Sequence, residues 1–202
     1  KHRKILFLLM SMNRATLSNR QSTADNIMSP VVGVVGCGRW GMTHLKTLYN
    51  LKQQGIISAI HACDIKPSKQ AEVAKFADSF YTDWQTLVNE QELDIVAIVT
   101  PADTHCDLAL QILDYCKSIF IEKPIGLSQY EASLIIAKVQ ELGGQLLVGH
   151  ILRFHEAMNQ AMDLISEGEI GELQRIEFNR ITPRQPPDYP NIFEAMAIHG
   201  ID

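Results

Sequence analysis

The chain has no basic excess. Its 18 lysines and arginines stand against 23 aspartates and glutamates, a formal net charge of −5 over 202 residues. With no Lys/Arg block or stripe, the electrostatic footprint that holds a nucleic-acid backbone is missing, and no nucleic-acid partner is expected. No apolar run approaches the ~20 residues of a membrane-crossing helix, so no membrane partner is expected either. The four cysteines, Cys37, Cys63, Cys106 and Cys116, form no CxxC pair, and no histidine stands at zinc-finger distance. No metal is therefore expected. The thiols read as buried or semi-buried and free, in the reducing cytoplasm, with Cys37 partly exposed because it lies in a glycine-rich turn. Internal repeats are also absent. What remains is 46% hydrophobic and 20% charged residues, material for one good core, or for one domain and part of another.

Residues 1–28 stand apart. Lys1 to Lys4 are basic or polar and Ile5 to Met10 apolar, but a six-residue apolar stretch soon followed by Arg14 is too short for a secretory signal. A disordered leader is expected, with Met28 a natural initiator. From Pro30 the pattern alternates strand and helix. Val31–Val35 is a continuous apolar run, as for a strand covered on both faces. Met42, Leu45 and Leu48 mark one face of the next helix. Strands are expected at 56–63, 80–81, 93–99, 119–121 and 145–149. Helices are expected from Pro67 to about Ala77, over Trp84–Glu90 and His105–Cys116, and from a capping box at Ser128 and Glu131 to Leu142. This repetition predicts an α/β fold, a doubly wound parallel sheet of the Rossmann kind over residues 29–150.

The character changes after His150. Phe154–Ser166 reads as an amphipathic helix, and Ile176 and Phe178 alternate with Arg175, Glu177 and Asn179 in a strand expected over Leu173–Ile181. A loop rich in proline follows, then a helical turn through His199. Residues 151–202 are expected to begin an α+β domain with an open, mostly antiparallel sheet. One strand cannot stand without partners, so the chain reads as a fragment that starts this substrate and oligomerisation domain.

Gly36-Cys37-Gly38-Arg39-Trp40-Gly41 fits GxGxxG. The first glycine permits the tight turn out of the strand, the second leaves room for a pyrophosphate, and the third allows close helix–sheet packing. The helix start offers free N–H groups and partial positive charge to phosphates. Asp64 ends the second strand, 23 residues past Gly41, where a carboxylate accepts from the ribose hydroxyls of an adenosine. That acid favours NAD, because it repels a 2′-phosphate; Lys66 and Arg39 leave NADP as the alternative. Trp40 either packs near the dinucleotide or serves as a helix–sheet contact.

Two further motifs fall at carboxyl ends of strands, where open α/β sheets bind ligands: Thr100-Pro101 with His105, and Glu122-Lys123-Pro124. Together with the glycine turn, Asp64, Gly149-His150, Arg153-Phe154, Ile198-His199 and Asp202, they resemble the Gfo/Idh/MocA family of oxidoreductases over about residues 30–202. The stretches Gly149–Ala157 and Gly168–Gly171 look like its UDP-N-acetylglucosamine 3-dehydrogenase-like or inositol 2-dehydrogenase-like branches. The resemblance implies hydride transfer between NAD(P) and a secondary alcohol of a sugar, inositol or nucleotide sugar. Lys123 then matches the lysine near the nicotinamide and the reacting hydroxyl. A lysine whose pKa is lowered by burial and nearby charge can deprotonate an alcohol. Pro124 is implied to follow a cis bond. His199 matches a late histidine, a general acid/base candidate.

The implied cofactor set is Gly36, Gly38, Arg39, Trp40, Gly41, Asp64, Thr100, Pro101, His105, Glu122 and Lys123. Arg153, Arg180 and Asp202 form the substrate set, the arginines suiting an anionic group. A homo-oligomer is expected through the completed second-domain sheet. Many family members carry an aspartate four residues before the late histidine; this chain has Ala195. Glu194 beside it lies about 100° away around a helix. Lys123 thus becomes the principal proton-transfer group. The rival reading is a non-catalytic NAD(P) sensor or truncated pseudoenzyme, which Ala195 favours and Lys123 opposes.

Overall fold

A computed structural model describes residues 29–177 and 179. Six parallel strands form one sheet: β1 (Val31–Val35), β2 (Ala59–Cys63), β3 (Ser79–Tyr81), β4 (Ile95–Ile98), β5 (Ser118–Ile121) and β6 (Gln145–Val148). Their order is β3-β2-β1-β4-β5-β6. Both faces are covered, which is why the central strands are apolar throughout instead of alternating. Between β1 and β4 the order reverses, and a crevice opens at such a switch point beyond the carboxyl ends.

Helix α1 (Arg39–Gln53) follows β1 and buries Gly41, Met42, Leu45, Leu48 and Leu51 along one stripe. Each of those leucines, taken out of water, stabilises the domain by about 1.5–3 kcal/mol. They pack with Val32, Val34, Ile60 and Val73 in one half of the core. The other half gathers Ile98, Ile112, Ile119, Ile121 and Ile135. It receives α3 (Trp84–Glu90), α4 (His105–Ile112) and α5 (Gln129–Glu141), after the four-residue α2 (Gln70–Val73).

The expected elements form, most of them shorter than the apolar runs suggest. The run from Ile56 begins its strand only at Ala59, because Ile56 N–H donates to Leu51 O and Ser58 N–H to Pro30 O, outside the ladder. The helix expected from Pro67 to Ala77 divides into a 3₁₀ turn, Pro67–Lys69, and the short α2. Asp83 caps α3 through Thr86 N–H. At α5, Ser128 Oγ accepts Glu131 N–H at 3.1 Å, but the Glu131 carboxylate reaches back to Leu127 N–H, one residue before the usual partner.

The chain divides into two units at Gly149–His150. The second contains a 3₁₀ turn (Ile151–Phe154) and α6 (Glu156–Ser166); Gly168, at φ +78°, follows it. The strand expected over Leu173–Ile181 lies only partly within the described residues. Residues 173–177 are exposed and stand outside any ladder among the described residues, and Glu177 accepts from Arg175 Nη2 at 3.0 Å and from Asn179 Nδ2 at 3.1 Å. Among the described residues no second sheet is seen, and Phe178 and residues 180–202 lie outside them.

Candidate active site

Strand register assembles the site. Cys63, Val35, Ile98, Ile121 and Val148 form one transverse row across β2, β1, β4, β5 and β6. One residue further on, the chain reads Asp64, Gly36, Val99, Glu122 and Gly149 at the carboxyl edge of the sheet. Residues separated by as much as 113 positions, Gly36 and Gly149, thus share one rim.

The glycine turn is set by close approach. Gly36 has φ +97°, and a Cβ there would stand 2.5 Å from Val99 O. At Gly41 a Cβ would stand 1.9 Å from Gly36 O. The third glycine thus lets α1 start directly over the turn's own carbonyl, an approach tighter than the helix–sheet packing expected for it. Gly38 differs: a Cβ there would meet nothing within 4 Å. The open space above Gly38, facing the first turn of α1, suits a phosphate, and in this respect the residues present fit a dinucleotide. Arg39 and Trp40 flank it, exposed, with the guanidinium 5.7 Å from the indole centroid. At 49% exposure Trp40 is not a helix–sheet contact.

Asp64 is tied to this turn. One carboxylate oxygen accepts Cys37 N–H at 2.8 Å and the other accepts Lys66 N–H at 2.9 Å. Cys37 is buried, contrary to the expected partial exposure, because its side chain turns into the core beneath the turn. Burial pushes its thiol up to about 12, with the charge of Asp64 adding to the effect. Such a thiol is no nucleophile. All four cysteines are buried and free.

At the next strand ends, Thr104 Oγ1 donates to Pro101 O at 2.7 Å and lies 2.7 Å from the Thr100 hydroxyl. His105 is 1% exposed. Its Nδ1 lies 2.7 Å from Pro124 O and its Nε2 2.9 Å from Thr100 O. The ring lies between two backbone carbonyls, to one of which a neutral imidazole donates, so any effect on a ligand passes through the loops it touches. The peptide bond between Lys123 and Pro124 is cis. Lys123 is half-buried, and its N–H donates to Glu122 Oε2 at 3.1 Å.

The sequence reading missed His44. It lies on α1, three residues past Gly41, and its Nε2 is 2.8 Å from Glu122 Oε1. The available signal was a histidine next to buried Leu45 on the helix that opens the glycine turn. Arg153 lies, exposed, in the turn Ile151–Phe154 of the second unit. Arg180, His199 and Asp202 fall outside the described residues. Among the described residues no group of three or more His, Cys, Asp or Glu is placed to hold a metal ion, and no helix is long and apolar enough to cross a membrane.

A parallel sheet in this order, with a glycine turn at its switch point and an acid closing β2, defines a dinucleotide-binding domain. The profile of an oxidoreductase family with an NAD-binding Rossmann fold matches residues 31–150, more than half of the chain, and the chain belongs to that family, Gfo/Idh/MocA. An inositol 2-dehydrogenase of Salmonella typhimurium is 28% identical over 181 residues, covering 87% of this chain and 53% of that protein. One from Rhizobium meliloti is 29% identical over 175 residues, covering 84% and 52%. The chain thus spans about half the length of these relatives. The structure of scyllo-inositol dehydrogenase from Lactobacillus casei, with bound NAD(H) and scyllo-inositol, shares the fold. Its TM-score is 0.64 at 24% identity, covering 71% of this chain and 43% of that one. The WlbA dehydrogenase of Bordetella pertussis, in complex with NADH and UDP-GlcNAcA, gives 0.63 at 19% identity, covering 71% and 43%.

Proposed function

We propose that the full-length protein is an NAD-dependent dehydrogenase that oxidises a secondary alcohol of an inositol or related sugar. The observation that carries this reading is the position of Lys123. It follows β5 on the same rim as the glycine turn, between two residues that are each tied to another element. When bound, NAD supplies the hydride acceptor. The chain's own residues would do the rest. The open face above Gly38 and the first turn of α1, with Arg39 and Trp40 beside it, would hold the phosphates. Thr100, Pro101 and Glu122 would shape the rim where the nicotinamide lies, and His105 would fix the loops beneath it. Lys123 would take the hydroxyl proton as hydride leaves the carbinol carbon, with His199 as a second proton group. Arg153, Arg180 and Asp202 would complete substrate binding from the second domain, whose sheet would also join copies of the chain.

Inositol ranks first among substrates because the relatives from Salmonella and Rhizobium carry that activity in their names. The test is to add NAD and a panel of inositols, sugars and nucleotide sugars to the full-length protein and follow absorbance at 340 nm. Turnover with a cyclic polyol is expected; NAD binding without turnover on any member of the panel would replace the enzyme with a sensor.

Asp64 is assigned to the adenosine ribose, with NAD preferred over NADP. The Asp64→Ala variant is expected to bind NAD about tenfold more weakly and to lose its discrimination against NADP. It should also lose roughly 1.5–3 kcal/mol of stability, because the Cys37 and Lys66 N–H groups lose a charged acceptor. Titration with both cofactors and urea unfolding read the two effects separately. Unchanged NAD affinity would remove the ribose assignment.

A further inference from the structure

Lys123 is held from both sides. Behind it, Pro124 O lies 2.7 Å from His105 Nδ1. Before it, the Glu122 carboxylate lies between two groups: one oxygen meets His44 Nε2 at 2.8 Å and the other accepts Lys123 N–H at 3.1 Å. The His44 and Glu122 side chains are each only 13% exposed. A third contact fixes the carboxylate's place. A Cβ on Gly149 would stand 3.0 Å from Glu122 Oε2, 3.1 Å from Cδ and 3.2 Å from Oε1, so the carboxylate lies flat against the backbone at the end of β6. His44 is itself held by the Phe120 ring, 5.1 Å away between centroids and inclined at 60°.

We propose that His44 is a positioning residue for Lys123: its ring, held on α1, fixes the Glu122 carboxylate, which fixes the Lys123 backbone. The glycine-turn helix after β1 and Lys123 after β5 thereby become one rigid assembly, spanning the crevice at the β1–β4 switch point. A carboxylate can accept several hydrogen bonds, and here the two oxygens divide the work. Without the His44 donor, Glu122 is free to turn toward water, and Lys123 N–H loses its acceptor. A displacement of ~1 Å at a reacting group can cost about 100-fold in rate, so a small release at Glu122 is enough to be felt in turnover.

The proposal rests on the dehydrogenase reading for its kinetic arm only. The test uses the full-length protein and three substitutions. His44→Leu removes the donor at similar volume. His44→Gln keeps an amide N–H at the reach of Nε2, and His44→Asn places one short of Glu122, at the reach of Nδ1. Site-resolved amide exchange at Lys123 should speed up about tenfold or more in His44→Leu and His44→Asn and stay near the parent rate in His44→Gln. In turnover, His44→Leu and His44→Asn should lower kcat by about 10–100-fold with the substrate KM and the NAD dissociation constant little changed, and His44→Gln should recover most of it.

If His44→Leu does not fold, the Gln and Asn pair decides the matter by the same two readouts. Parent-like exchange at Lys123 in His44→Asn or His44→Leu overturns the brace, as does a glutamine variant no better than asparagine. Absence of turnover in the parent protein would instead sink the dehydrogenase reading, while the exchange measurement still decides whether His44 holds the segment.

Discussion

Lys123→Ala in the full-length protein is expected to reduce kcat by about 10³-fold while NAD still binds. Positioned proton transfer contributes typically 10²–10⁴-fold, and three neighbouring polar groups on the rim are engaged elsewhere. Asp64 is tied to the glycine turn, the His105 ring lies between two carbonyls, and the Glu122 carboxylate is held by His44 and by Lys123 N–H. The distinction from a binding role lies in the split between parameters. A lysine that only attracts substrate raises KM at constant kcat; one that takes a proton in the transition state lowers kcat and kcat/KM together. Stopped-flow measurement of the first turnover separates the chemical step from product release. A kcat within threefold of the parent would remove Lys123 from the chemistry, and titration with NAD would show whether the fold had survived.

The second large effect is expected at the glycine turn, and it comes in two forms that the geometry keeps apart. Gly41→Ala places a Cβ 1.9 Å from Gly36 O, a backbone atom that cannot rotate away. The helix start must shift, and a loss of about 3 kcal/mol or more is expected, with NAD binding abolished. Gly38→Ala meets nothing within 4 Å, and Gly38 has φ −67°, a value any residue adopts. Its stability should stay within about 0.5 kcal/mol of the parent or rise slightly, since alanine restricts the unfolded chain. Yet its methyl group enters the space assigned to the phosphates, so NAD affinity should fall about 100-fold. Denaturant unfolding and calorimetric titration of the two variants give the contrast. A Gly38→Ala protein that binds NAD like the parent would relocate the phosphates.

Much of this was readable from residue order. The apolar runs marked the strands because a strand covered on both faces has no polar side to show, and α1 declared its buried stripe through Met42, Leu45 and Leu48. Boundaries were less legible. Ile56 belongs to the apolar run but not to β2, since what ends a strand is the loss of its ladder partner, which hydrophobicity does not encode. The rim itself was partly visible: the motifs Gly36–Gly41, Asp64, Thr100-Pro101 and Glu122–Pro124 were each found at a strand end. Their connections were not. That Glu122 meets a histidine 78 positions earlier depends on which strands are neighbours, and on β1, β4 and β5 ending level. Likewise Cys37 looked exposed in a turn, but that turn is tethered to Asp64 and folds the thiol inward. The alternating pattern of 173–181 runs past the described residues, and the sheet expected from it stays an expectation.

The bond from Cys37 N–H to the Asp64 carboxylate ties the turn after β1 to the end of β2 across 27 positions, beside the bond from Gly36 N–H to Cys63 O. The turn is therefore ordered by the protein's own charge, without help from a nucleotide. The entropy of shaping the loop is lost during folding and does not recur at each encounter with cofactor. Rapid exchange of reduced for oxidised nucleotide suits such a cradle, because neither arrival nor departure requires it to be rebuilt. The same bond divides the available donors. The Cys37 amide is turned inward and is not free for phosphate, which leaves anion capture to the amides at the mouth of α1. One aspartate would then perform two recognitions at once, of its own chain through one bond on each oxygen and of the sugar of a passing dinucleotide on the lone pairs that remain.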